Sequence, residues 1–349
     1  MAALCDLLRC GLIEKDTNDD TLWTWSYPSV TEAQRDLFMR KCSLSSKSEH
    51  ALPFLYNQTD RQWYYIYTHT TQETDNLPKV KAFSLVIMAK DFNPEKYEAL
   101  CRVAASQYCK TGTPTSILQV YLAVVTKGKW TGDENGRFSN QDFQVKHAYA
   151  NSNLLGIVEM FGLEAILIYT ALLLKKRVAV YFPPHSLDEL MIFTRSLPAF
   201  VWHRQNWSIV HPFVELTSGE LADLQNTSHY VAGFTDATVE SRSDLYDVYI
   251  NGTSGQISVA QHAKEYFSMG KLHKDIALSI VQLTEEEGVT SPHMIKEIAT
   301  KTKELLTNLK SLADEDGTVS LETLKSRKMP PATENFLFSL AACEGLVPL

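Results

Sequence analysis

The chain has 349 residues, 44% hydrophobic and 21% charged, an ordinary soluble globular composition whose length suggests roughly two domains. A net charge of −8 and a pI near 5.7 argue against nucleic acid or an anionic membrane surface as the main partner. The six cysteines show no Cys-x-x-Cys pair and no metal-ligand spacing, so no metal is read from them; they suit free thiols in a reducing, cytoplasmic setting.

In chain order, Met1 to Arg9 is a very short apolar run broken by Asp6 and does not read as a signal peptide. Leu12–Lys15 and Thr21–Tyr27 read as a hairpin around the polar turn 16–20, which lacks the Gly and terminal Glu of a calcium loop. Thr31 and Gln34 form a capping box for a short helix. Pro53–Asn57 and Gln62–Thr68 read as a second hairpin, and Lys81–Lys90 as a fifth strand. Asn93-Pro94-Glu95 starts a helix that Gly112 stops, and Thr113-Pro114 starts another that runs to Lys127. Antiparallel strands with flanking helices make residues 1–127 an α+β unit. Residues 128–150, with Asp133-Glu134-Asn135-Gly136, are polar and turn-rich and read as a linker.

The run Val158–Leu174 is apolar almost all round at helical period, which predicts one buried helix. It is too short for a membrane span, carries Glu164, and is closed by Lys175-Lys176-Arg177. Val178–Phe182, Trp207–Val210, Tyr230–Phe234 and Leu245–Ile250 read as strands. Capping boxes at Ser186/Glu189 and Thr217/Glu220 start helices between them. Helices alternating with short apolar strands predict an α/β module with a mostly parallel sheet over 151–260. The remainder, 261–349, reads as helical: one helix over Gln261–Val281, one from Ser291 with Ile295, Ile298, Leu305, Leu306, Leu309 and Leu312 on one face, and a last one around Phe336–Leu340.

No Gly-rich phosphate loop or nucleophile elbow is present. The histidines are scattered, and His203 and His211 flank the Trp207 strand without a zinc-ligand pattern. The absence of an ordinary active site favours a surface that works by binding. At strand period Trp23, Trp25 and Tyr27 share one face: either a cover for the unit's own helices or an aromatic anchor for a partner, with Tyr27 before Pro28 expected to protrude. Arg195 and Arg204, near the Pro198–Trp202 turn, are candidate outward-pointing contacts.

A buried helix, a basic step, a strand and then Ser196-Leu197-Pro198-Ala199-Phe200-Val201-Trp202 resemble the central module of DENN domains. The short strand ending at Pro212, the Tyr230–Phe234 strand and the Asp-containing strand Leu245–Ile250 extend the resemblance in the same order. One departure is that Ser208-Ile209 stands where the family has Ile-Pro. The resemblance implies an α+β longin-like lobe followed by an α/β core lobe with C-terminal helices. It also implies a protein peripheral to late endosomes that binds Rab GTPases between the two lobes, with no cofactor. Favouring the nucleotide-free Rab makes such a protein a guanine nucleotide exchange factor, which requires differential affinity and no catalytic acid, base or nucleophile. The alternative it implies is a non-catalytic scaffold subunit of the Commander endosomal recycling assembly, seated on coiled-coil subunits.

Overall fold

A computed structural model of the chain describes residues 3–44, 52–132, 136–314 and 316–347, so Asp133, Glu134 and Asn135 of the polar turn lie outside the described residues. The chain divides into two compact units, Met1–Ala148 and Tyr149–Leu349.

Unit 1 begins with β1 (Leu7–Asp16) and β2 (Thr21–Tyr27), followed by α1 (Glu32–Lys41). The box that starts α1 forms as the sequence suggests: Thr31 Oγ1 accepts from the Gln34 amide and Gln34 Oε1 from the Thr31 amide, both at 3.2 Å. β3 (Phe54–Thr59) and β4 (Gln62–Thr70) flank the two-residue turn Asp60-Arg61, whose φ of 51° and 59° match the right-handed strand twist. β5 (Val80–Ala89) completes a five-stranded antiparallel sheet of order β2-β1-β5-β4-β3. α2 (Pro94–Thr111) starts with Asn93 Oδ1 accepting from the Lys96 amide and ends at Gly112 in the left-handed region; α3 (Pro114–Lys127) follows.

The sheet is covered on both faces, and β4 shows how. Tyr64 meets Phe38 of α1 at 5.2 Å between ring centroids, while its neighbour Tyr65 stacks on Tyr97 of α2 at 4.4 Å. Adjacent strand residues point to opposite faces, so consecutive aromatic positions supply both cores. Residues 128–150 carry a ribbon of β6 (Lys129–Thr131) and β7 (Arg137–Ser139), which packs on α3 and α2, and then α4 (Val145–Ala150), which spans the division between the units.

In unit 2 the apolar run is not one helix. α5 (Leu154–Phe161) ends where Gly162 takes φ 52°, a 3-10 turn (Gly162–Glu164) re-aims the chain, and α6 (Ala165–Leu173) follows. A residue with a Cβ would be strained at that φ, so the break is written in one glycine inside an otherwise helical pattern. By length and composition Val145–Leu173 (29 residues, containing an 18-residue window of mean hydropathy 1.7) could cross a membrane; here it is divided among three helices, with 56% of that window buried. Leu173 is fully buried.

β8 (Val178–Tyr181), α7 (Leu187–Ser196), β9 (Val210–His211), α8 (Ser218–Gln225), β10 (Val231–Phe234), β11 (Val248–Asn251) and β12 (Gln256–Val259) build a sheet of order β12-β11-β8-β10-β9. It is parallel except for β12, and Val178, Ala179 and Val180 are all buried, as a strand with both faces covered requires. Three expectations are corrected. At neither Ser186 nor Thr217 does the side chain cap its helix; a 3-10 turn (Pro184–Ser186) leads into α7, and Glu220 reaches the Glu215 amide instead. The strand at Trp207 shrinks to Val210–His211, because Trp207 is a buried side chain whose Nε1–H donates to the Arg195 carbonyl at 2.9 Å. Gln261–Val281 is a 3-10 turn (Gln261–Phe267) and then α9 (Lys271–Gln282), parted at Ser268–Gly270.

α10 (Ser291–Lys310) buries Met294, Ile295, Ile298, Thr302, Leu305 and Leu309; Thr302 sits in this apolar stripe because its hydroxyl bonds the Tyr169 hydroxyl at 2.9 Å. Two further helices, α11 (Leu321–Ser326) and α12 (Pro331–Cys343), close the unit, with Phe336 edge-on to His273 at 4.4 Å.

Candidate partner-binding surface

β2 is an edge strand: it pairs with β1, and among the described residues no strand lies on its other side. The aromatic row expected along it is split. Tyr27 pairs with Cys10 and Trp25 with Leu12, but Trp23 pairs with Ile13, a bulge that leaves Thr24 without a partner in the ladder. Leu12 and Ile13 point to opposite faces, so Trp23 is carried to the face opposite Trp25 and Tyr27. Ring contacts agree: Trp23 stacks on Phe38 of α1 at 6.1 Å, and Tyr27 meets Tyr121 of α3 edge-on at 5.6 Å. The indole of Trp23 also lies over Gly11, where a Cβ would come within 2.6 Å of the ring. Trp23 is therefore half-buried packing, whereas Tyr27 (42% exposed) and Leu22 (58% exposed) are large side chains that the unit leaves open on this edge. Trp25 is half-buried on the face of Tyr27.

Neither candidate arginine points outward. Arg195 is buried in the last turn of α7. Arg204 donates Nη1 to the Leu172 carbonyl and Nη2 to the Leu173 carbonyl, each at 2.7 Å, and its Nε to Glu344 Oε1 at 3.1 Å. It thus closes the C-terminal end of α6, where the dipole favours a cation and the last carbonyls need donors. Hydrogen bonding by His203 first and then by Arg204 holds the Glu344 carboxyl pKa down to about 2, against the opposing effect of its partial burial.

The basic step after α6 is likewise absorbed by the fold. Lys175 Nζ donates to the Cys343 carbonyl at 2.6 Å, Lys176 Nζ lies 3.0 Å from the centroid of the Tyr266 ring, and Arg177 pairs with Asp247 at 3.0 Å. His262 reaches the same carboxylate at 2.9 Å, so these charges join the starts of β8 and β11 to the turn after β12. Burial raises the Cys10 thiol to about 12 and holds Cys101 well above its ordinary value, so neither is a nucleophile near neutral pH.

Unit 2 has an apolar surface of its own. Met160 (47% exposed) and Ile192 (51%) border a cleft of about 200 Å³ with Ile157, Phe182 and Phe193 on its walls and Glu189 at its rim. Phe182 directly follows β8, where strand addition reverses from the β10-β9 side to the β11 side. The carboxyl end of a strand at such a reversal is where open α/β sheets leave a crevice.

The family described as SPA, stabilization of polarity axis, matches residues 151–261, which lie within unit 2. DENN domain-containing protein 10 of Danio rerio is 49% identical over 345 residues, 98% of each chain. Its human counterpart is 45% identical over 348 residues, 98% of this chain and 97% of that one, and the Dictyostelium discoideum protein of the same name is 37% identical over 96% of each. A chain so similar to these proteins along almost its whole length belongs to the DENN domain-containing protein 10 family.

Proposed function

We propose that this chain binds a Rab GTPase at endosomal membranes and acts as its guanine nucleotide exchange factor, with the open edge of β2 as an anchor. Membership of a DENN-domain family supports the partner class. The single observation that carries the surface is the exposure of Leu22 and Tyr27 on an unpaired sheet edge. Such an edge offers main-chain groups for strand addition and a rigid aromatic for a partner's pocket. Exchange results if the chain prefers the nucleotide-free Rab. A preference of about 1–3 kcal/mol over the GDP-bound form is a factor of about 5–150 in affinity.

The test is GDP release from a panel of Rabs, with wild-type protein beside Tyr27→Lys and Leu22→Asp. Accelerated release from one Rab, lost in both variants, supports the reading; no acceleration across the panel sinks it. A second reading, a scaffold subunit of the Commander assembly on coiled-coil partners, is favoured by the cleft at Met160, Phe182 and Ile192. An apolar groove with flexible and branched walls suits the i, i+3, i+4 anchors of an amphipathic helix. Ile192→Asp should remove coiled-coil binding and leave Rab binding unchanged.

A further inference from the structure

The spacing of the cysteines and histidines gives no ligand pattern, yet the fold gathers three ligand-type side chains from three places. His69 is near the end of strand β4, Asp75 in the loop after it, and Cys109 in the last turn of α2. Their ligand atoms all lie within 4.8 Å of one another, and among the described residues this is the group of three with that geometry. His69 Nε2 is 3.8 Å from an Asp75 carboxylate oxygen. A tetrahedral zinc with bonds of about 2.0–2.3 Å places its ligand atoms about 3.4–3.7 Å apart. Closing onto one ion thus asks for shifts of a few tenths of an ångström up to about 1 Å, within the reach of side-chain rotation.

The scaffold that presents these groups is fastened. The loop folds on itself, with the Gln72 amide donating to Asp75 Oδ2 at 2.8 Å. It is tied to the helix end by the Asn76 amide, which donates to the Cys109 carbonyl at 2.8 Å, and by the Asn76 side chain on the Lys110 carbonyl. The approach is close enough that a Cβ at Gly112 would sit 2.3 Å from the Asn76 oxygen, so the glycine that ends α2 also admits the loop. The site lies at the negative end of the α2 dipole, a position that favours a cation. Cys109 is buried while His69 and Asp75 are partly exposed, so the group is reached by solvent from the His69 and Asp75 side.

We propose that His69, Asp75 and Cys109 form a binding site for a divalent metal ion of the zinc class. Thiolate and imidazole ligands select zinc-like ions over magnesium or calcium. The sulfur–metal bond forms as the thiol gives its proton to solvent, and thiolate, carboxylate and neutral imidazole leave a divalent ion with no net charge. Bound metal would staple the β4 end, its loop and α2, and so stiffen the edge of unit 1 near that helix end.

The experiment uses the full chain, stripped with chelator and titrated with cobalt(II) as an optical probe, then with zinc. Wild type should take up one equivalent with a sulfur-to-cobalt charge-transfer band and tetrahedral visible bands, and one equivalent of zinc should bleach them. Cys109→Ser should lose the charge-transfer band, and His69→Gln should bind zinc at least about tenfold more weakly, as losing a direct ligand costs no less than losing an outer-shell partner. Cys5→Ser, at an exposed cysteine away from the group, should change nothing. If Cys109→Ser fails to fold, His69→Gln at a partly exposed position still decides the matter. No charge-transfer band in wild type, or a band that survives both substitutions, overturns the site and leaves these groups as ordinary polar contacts.

Discussion

Arg204→Met tests whether the arginine holds the end of α6. The substitution keeps most of the aliphatic volume and removes the guanidinium. The carbonyls of Leu172 and Leu173 then lose donors at 2.7 Å, and Glu344 loses the cation it was bonded to. Each charged hydrogen bond contributes about 1.5–3 kcal/mol and the helix-end charge about 0.3–1 kcal/mol. Complete loss in a sealed interior would exceed about 5 kcal/mol on those values, but the side chains of Arg204 and Glu344 are 16% and 20% exposed, so water replaces part of what is removed. We expect a cost of about 3 kcal/mol, which for a unit of this size lowers its melting temperature by about 6–12 °C. Calorimetry on the full chain reads this, and a cycle with Glu344→Gln separates the pair from the carbonyl contacts. The double variant should cost less than the sum of the singles by about 1 kcal/mol or more. A melting shift under about 2 °C, or strictly additive costs, would refute the account.

Tyr27→Lys removes one edge-on ring pair, worth about 0.5–1.5 kcal/mol, and so should lose Rab capture with only a small melting shift. Trp23→Asp, by contrast, drives a carboxylate between α1 and the sheet and should collapse unit 1, seen as loss of near-UV circular dichroism. Leu173→Ala should destabilise by about 2–5 kcal/mol, and an unchanged unfolding midpoint would show that α6 is not core. Because the Glu344 pKa falls from 4.5 to about 2 on folding, its contribution is whole above pH 4.5 and is lost as pH drops through 4.5 toward 2. The stability difference between wild type and Glu344→Gln should therefore shrink over that window, and a constant difference would contradict the pairing.

The parts of this fold that could be read from the chain are those decided within a few residues. Thr31 with Gln34, and Asn93-Pro94 with Gly112, set helix ends by local hydrogen bonds and backbone preference, and both ends form where the residues place them. The failures lie where a distant partner decides. The bulge at Thr24 depends on β1, and it overturns the period-two argument for Trp23. Arg204 reads as a surface residue until the carbonyls of α6 and Glu344, 140 residues away, are brought to it. His69, Asp75 and Cys109 carry no spacing signal for the same reason.

The grip of Arg204 and Lys175 on Glu344 and the Cys343 carbonyl has a consequence for synthesis on the ribosome. Lys175, just after α6, and Arg204, which satisfies the last carbonyls of that helix, lie near the middle of the chain, yet the C-terminal groups they bond are 140 to 168 residues downstream. Unit 1 has its sheet and covering helices in hand once its own residues have emerged, and can fold while translation continues. Unit 2 must wait, with Lys175 and Arg204 lacking their C-terminal partners, until residues 343 and 344 clear the exit tunnel. A nascent chain halted short of Glu344 would carry a finished first unit and a second one that invites chaperones, so termination there should yield a protein recognised as defective.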